Sequence, residues 1–81
     1  MRVQVKLFAI LRERAGCAQT SLDLPTNASV DVASAALARQ FPPIADHLAR
    51  VAFAVNQSYV DRSTVLHDGD ELAIIPPVSG G

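Results

Sequence analysis

Residues 2–8 alternate along the chain. Val3, Val5 and Leu7 fall on one side, and Arg2, Gln4, Lys6 and Phe8 on the other. That period of two marks a half-buried strand, with β-branched residues suited to its core side. Residues 9–15 change to helical composition, and Gly16 follows as a left-handed C-terminal cap. Residues 18–24 alternate again, with Thr20, Leu22 and Leu24 on one face, until Pro25 stops the strand. These two strands are expected to pair antiparallel across the short helix. Ser29 is a good N-cap, with Asp31 in the first turn behind it. Val30, Ala33, Leu37 and Phe41 then recur at helical spacing and predict a second, longer helix. Pro42 and Pro43 end it.

Residues 44–50 predict a short helical turn, and residues 51–56 an apolar strand. Residues 57–60 either continue that strand or form a short extended segment of their own. In the connector 61–67, Val65 and Leu66 are expected to anchor back to the core. Asp68-Gly69-Asp70 is a turn signature in which Gly69 supplies a positive φ. Residues 71–75 form a last strand, with Leu72 and Ile74 on one face and Ala73 and Ile75 on the other, stopped by Pro76-Pro77. Strands and one main helix in this order give an α+β fold, a mixed sheet with the helix packed across one face. By analogy the order suits a ubiquitin-like β-grasp, whose first and last strands lie side by side at the sheet centre.

Composition narrows the function classes. The chain has 81 residues, 49% of them hydrophobic and 19% charged, which suits one small core-forming domain. The expected division is a domain over 1–76 and a flexible tail over 77–81. Seven Lys and Arg against eight Asp and Glu give a net charge of −1. That balance argues against nucleic acid, which needs a basic face, and against anionic membrane surfaces. The first residues lack the apolar run of a signal peptide, and no stretch approaches the ~20 apolar residues of a membrane span. One cysteine, Cys17, permits no internal disulfide. Cys17, His47 and His67 show no metal-ligand spacing, so no metal site is expected. These features suit a reducing cytoplasm.

The sequence closes on Pro76-Pro77-Val78-Ser79-Gly80-Gly81. Two prolines stiffen the exit from the last strand, and the glycines then remove bulk. Residues 77–81 reach about 17 Å when extended, more than the ~12 Å radius of gyration of a domain this size. Such a tail can enter another protein's pocket. Gly81 has no side chain to shield its carboxylate, so an acyl group there is open to ATP or to a sulfur nucleophile.

Lys6-Leu7-Phe8-Ala9 with Leu11-Arg12-Glu13, Val55-Asn56-Gln57, Asp68-Gly69-Asp70-Glu71 and the terminal hexapeptide together resemble the small, sulfur-carrying subunit of molybdopterin synthase, the MoaD-type family. The resemblance covers nearly the whole chain. It implies a β-grasp fold and a C-terminal glycine that is adenylated with ATP by a ubiquitin-activating-like adenylyltransferase. A sulfur donor protein then supplies the sulfur of a thiocarboxylate. The tail inserts into the large synthase subunit and passes sulfur to cyclic pyranopterin monophosphate, building the dithiolene of molybdopterin. Gly81 matches the sulfur-bearing position; Gly80, Ser79, Val78 and Pro77 match the tail. The chain is then a carrier, not an enzyme on its own, with the catalytic side chains on the large subunit. No cofactor is expected on the chain itself, which lacks a phosphate-cradling glycine loop. Related functions are a thiazole sulfur carrier for thiamine and a ubiquitin-like modifier of lysines. The Pro-Pro-Val-Ser segment favours molybdopterin. A plain interaction module that ignores the terminus is a further class.

The residues also predict a docking surface. By parity Phe8 lies on the outward face of the first strand, and Ile75 on the outward face of the last. If these strands are neighbours, the two meet on the face away from the helix, where Tyr59 joins them. An exposed apolar patch of this kind marks a partner surface. Arg12 is a candidate for an ion pair with the partner, whereas Glu13 reads as solvated. A lone cysteine after a capping glycine reads as inert, both histidines as surface residues, and the acidic run 68–71 as a turn rather than a cation site.

Overall fold

In the computed structural model, which describes residues 1–77, the chain runs through β1 (Arg2–Leu7), α1 (Ile10–Ala15), β2 (Gln19–Asp23), α2 (Val30–Gln40), a 3₁₀ segment (Pro42–Ala49), β3 (Ala52–Val55), β4 (Ser58–Val60) and β5 (Glu71–Ile75). One mixed sheet forms in the order β2-β1-β5-β3-β4. β1 and β5 pair in parallel at its centre, with Val5 opposite Leu72 and Leu7 opposite Ile74. The outer pairs are antiparallel. This is the β-grasp arrangement expected from the element order. Among the described residues no helix is long and apolar enough to cross a membrane.

The alternation along β1 and β5 sorts the sheet into two faces. Val3, Val5, Leu7, Leu72 and Ile74 are buried and meet Val30, Ala33 and Leu37 of α2. The Ser29 hydroxyl accepts a hydrogen bond from the Val32 N–H at 3.3 Å, capping α2. Phe41 ends it, its N–H donating to the Leu37 carbonyl. Pro42 and Pro43 then occupy the first turn of the 3₁₀ segment, where no N–H is required. Ile44 and Leu48 of that segment complete the core floor.

One expectation fails in the connector, at Val65. Of the two alternatives for residues 57–60 the second holds: Ser58–Val60 is a short strand of its own, and it reverses on β3. Asn56 and Gln57 both take positive φ, 49° and 72°, as a two-residue hairpin turn requires, and β4 pairs back with Val55 opposite Ser58. The Asn56 side chain secures the reversal. Its amide donates to Asp70 Oδ1 at 2.9 Å, and its oxygen accepts from the Glu71 N–H at 3.0 Å. In the connector only Leu66 reaches the core; Val65 is 43% exposed. Val65 forms an isolated antiparallel bridge with Ser29, and in extended chain its neighbour then faces the opposite way.

Arg62 binds the connector to three other elements. Its guanidinium donates to Asp31 Oδ1 at 3.1 Å and to the Leu48 carbonyl, and lies 4.8 Å from the centroid of Phe53. Arg62→Ala should destabilise the domain by about 1–3 kcal/mol in urea unfolding, because the Leu48 carbonyl and the ring face lose their partner together. A change below about 0.5 kcal/mol would show that the clamp carries no stability.

Two carboxyls are held below the usual carboxylate range. Hydrogen bonds from the Ser63 hydroxyl and backbone N–H depress Asp61, and the Arg2 guanidinium depresses Asp23. Their folded values lie below their unfolded ones, so their stabilisation is complete above the unfolded value near pH ~3.9. It is lost as pH falls through the lowered folded values. Stability measured from pH 6 down to pH 2 should therefore drop at the acid end, and Asp61→Asn should flatten that drop.

Candidate functional site

The outer face of the sheet carries a groove. One row of residues crosses it in register: Lys6 lies opposite Ala73, Ala73 opposite Ala54, and Ala54 opposite Tyr59. Three strand spacings separate the ends of this row, about 14 Å. The two central alanines make the floor shallow. Lys6 stands at one end, its Nζ 3.2 Å from Glu71 Oε2. Tyr59 stands at the other, 75% exposed. Phe8, Ile75, Pro76 and Pro77 line the same groove, whose volume is about 850 Å³.

Phe8 reaches this face for the reason read from the sequence. It continues the outward side of β1 one residue beyond the strand and is 43% exposed. Ile75 follows Ile74 on β5 and faces out because Ile74 faces in. The parallel pairing of β1 with β5 brings the two together. The expected patch of Phe8, Ile75 and Tyr59 is therefore assembled, with Pro77 beside it. Arg12 is not part of it. It sits exposed on α1, outside the groove-lining residues. Val78, Ser79, Gly80 and Gly81 lie outside the described residues.

Lys6, Gln57 and Ala9, quoted in the family motifs but given no docking role from sequence, also line the groove. Lys6 was assigned to the outward face but given no role; its partner Glu71 becomes apparent only once β1 and β5 are in register. Gln57 enters through the hairpin turn. Ala9 is the third. Its φ of 52° and ψ of −126° match the first inner position of a type II′ turn, which glycine ordinarily fills. The turn is closed by the Leu11 N–H donating to the Phe8 carbonyl at 3.0 Å. Holding alanine there costs about 1–3 kcal/mol.

The acidic turn has internal work. Asp68 Oδ1 accepts from the Arg2 N–H at 2.7 Å, and Asp70 Oδ2 from the His67 N–H at 2.8 Å. Gly69, with φ 85°, donates its N–H to the Arg2 carbonyl. Among the described residues no three His, Cys, Asp or Glu side chains cluster to hold a metal ion. Cys17 is half-buried and packs against the core.

Comparison with known proteins gives a consistent picture. The sequence profile of the ThiS family matches residues 5–81. The molybdopterin synthase sulfur carrier subunit of Mycobacterium tuberculosis is 38% identical over 84 residues, covering 100% of this chain and 99% of that protein. The protein of the same name from Arabidopsis thaliana is 35% identical over 81 residues, covering 100% and 84%. Among solved structures, SAMP1 of Haloferax volcanii superposes with a TM-score of 0.87 at 32% identity, covering all of both chains. A complex of subunits 1 and 2 of molybdopterin-converting factor from Helicobacter pylori contains a chain that superposes at 0.73 with 26% identity, again over all of both chains.

The two faces of the sheet should respond differently to truncation. Tyr59→Ala, on the exposed row, should leave unfolding free energy within about 0.5 kcal/mol of the parent. Leu72→Ala, on the opposite face, should cost about 2–5 kcal/mol. Equal losses in chemical denaturation would mean that the groove is structural.

Proposed function

Because the chain belongs to the ThiS family, we propose that it is the sulfur-carrier subunit of a molybdopterin synthase. The observation that carries this reading is the placement of Pro76 and Pro77 in the apolar groove beside Phe8, Ile75 and Tyr59. A partner seated on that groove receives whatever follows Pro77 directly from the docking face. The H. pylori complex of subunits 1 and 2 supports a large-subunit partner. The names of the full-length relatives favour molybdopterin over a thiazole product.

In this reading Gly81 is the carrier position, and the family match that runs to residue 81 supports it. The Gly81 carboxylate attacks the α-phosphate of ATP on an adenylyltransferase, releasing pyrophosphate. Hydrosulfide released by a donor protein attacks the acyl carbon, displaces AMP and leaves a thiocarboxylate. Gly80, Ser79, Val78 and Pro77 thread the large subunit, which holds the catalytic side chains and the cyclic pyranopterin monophosphate. This chain contributes the acyl sulfur and the docking face of Phe8, Tyr59 and Ile75. Arg12, exposed on α1 outside the groove, is proposed to form an ion pair with the partner. ATP serves the activating enzyme, and no cofactor is held by the carrier. The cytoplasm is the compartment proposed, because a chain with a single cysteine builds no disulfide framework.

A second reading is protein modification through Gly81. It is favoured by the similarity to SAMP1, named small archaeal modifier protein 1. One experiment separates the two. The protein is incubated with its activating enzyme, ATP and sulfur donor, then with its large subunit and cyclic pyranopterin monophosphate. The sulfur-carrier reading expects one oxygen replaced by sulfur at Gly81, loss of that sulfur as molybdopterin forms, and weaker large-subunit binding by Phe8→Ala. Isopeptide adducts of Gly81 on lysines with no sulfur exchange would replace it with the modifier reading.

A further inference from the structure

Among the described residues, four other than glycine take a positive φ: Ala9, Asn27, Asn56 and Gln57. Asparagine tolerates the left-handed region, and Asn56 is held there by its hydrogen bonds to Asp70 and Glu71. Gln57 is the second half of the hairpin turn that Asn56 begins. Ala9 has no such account. Its turn is closed by backbone groups alone, the Leu11 N–H and the Phe8 carbonyl, and glycine would close it equally well. The Ala9 methyl does not belong to the hydrophobic core. It is exposed, and it lines the groove between Phe8 and Ile10. A methyl group is thus kept where the backbone disfavours it and where the free domain gains nothing from it.

We propose that the Ala9 methyl is a direct contact of the docked large subunit, retained against the stability of the free domain. The inference rests on the docking function proposed above. It extends the face of Phe8, Tyr59 and Ile75 onto the loop before α1. Strain of this kind persists where the conformation serves a site. Here it fixes a small apolar group on a loop whose backbone is pinned on both sides, by β1 and by the first turn of α1. The partner facing it is apolar and close enough to exclude water from a methyl.

The test measures two quantities that move in opposite directions. Thermal unfolding and binding to the large subunit are measured for the parent, Ala9→Gly and Phe8→Ala. Ala9→Gly should raise the melting temperature by about 4–8 °C as the strain is released. The same change should weaken binding about fourfold, the worth of one buried methyl group. Phe8→Ala, which releases no strain, should weaken binding without raising the melting temperature. Unchanged affinity, or a melting temperature that does not rise, would overturn the contact. A parent protein that fails to bind the large subunit would bring down the functional reading and this inference with it. A parent that binds, with Ala9→Gly binding equally well, would overturn this inference alone.

Discussion

Parallel pairing of β1 with β5 is the constraint on which the rest of the structure depends. It joins residues almost seventy positions apart, Gln4 with Glu71 and Leu7 with Ile74. The register decides both faces at once. On the inner side it stacks Val5 beside Leu72 and Leu7 beside Ile74, giving α2 a continuous apolar floor. On the outer side the same register sets Lys6 against Glu71 and Phe8 near Ile75. A slip of one residue would exchange the two faces, so core and outer groove are determined by a single set of hydrogen bonds.

The groove exists because side-chain volume differs between those faces. β5 carries leucine and isoleucine inward and Ala73 outward, and β3 places Ala54 beside Ala73. Large residues at the margins, Phe8, Tyr59, Ile75 and Pro76, rise around two methyl groups. Neither margin nor floor requires an irregular backbone within the strands; alternation supplies them. The family relationship fits this economy. The fold is shared with proteins named as carriers and as modifiers, and β5 ends at the centre of the sheet.

Much of this was legible in the chain. Period-two alternation located β1, β2 and β5 and assigned Phe8 and Ile75 to the outward face. Helical spacing and Ser29 located α2. What escaped were backbone conformations that sequence pattern does not encode. Asn56-Gln57 reverses the chain without the glycine that normally announces such a turn, because Asp70 and Glu71, distant in sequence, hold Asn56 in place. Ala9 adopts a glycine-like conformation that no local residue signals. The outward exposure of Val65 follows from a bridge to Ser29, a long-range pairing. At Asn56 and Val65 a tertiary contact overrides the local preference; at Ala9 the turn is closed locally, by the Leu11 N–H and the Phe8 carbonyl.

The position of β5 between β1 and β3 has a mechanical consequence. A force applied at Ile75 along the strand axis loads β5 from its C-terminal end. Both flanking ladders then bear the load in shear, with their hydrogen bonds strained together rather than opened one after another. An edge strand pulled sideways would peel. The central strand is therefore held against such a force by both of its neighbours at once.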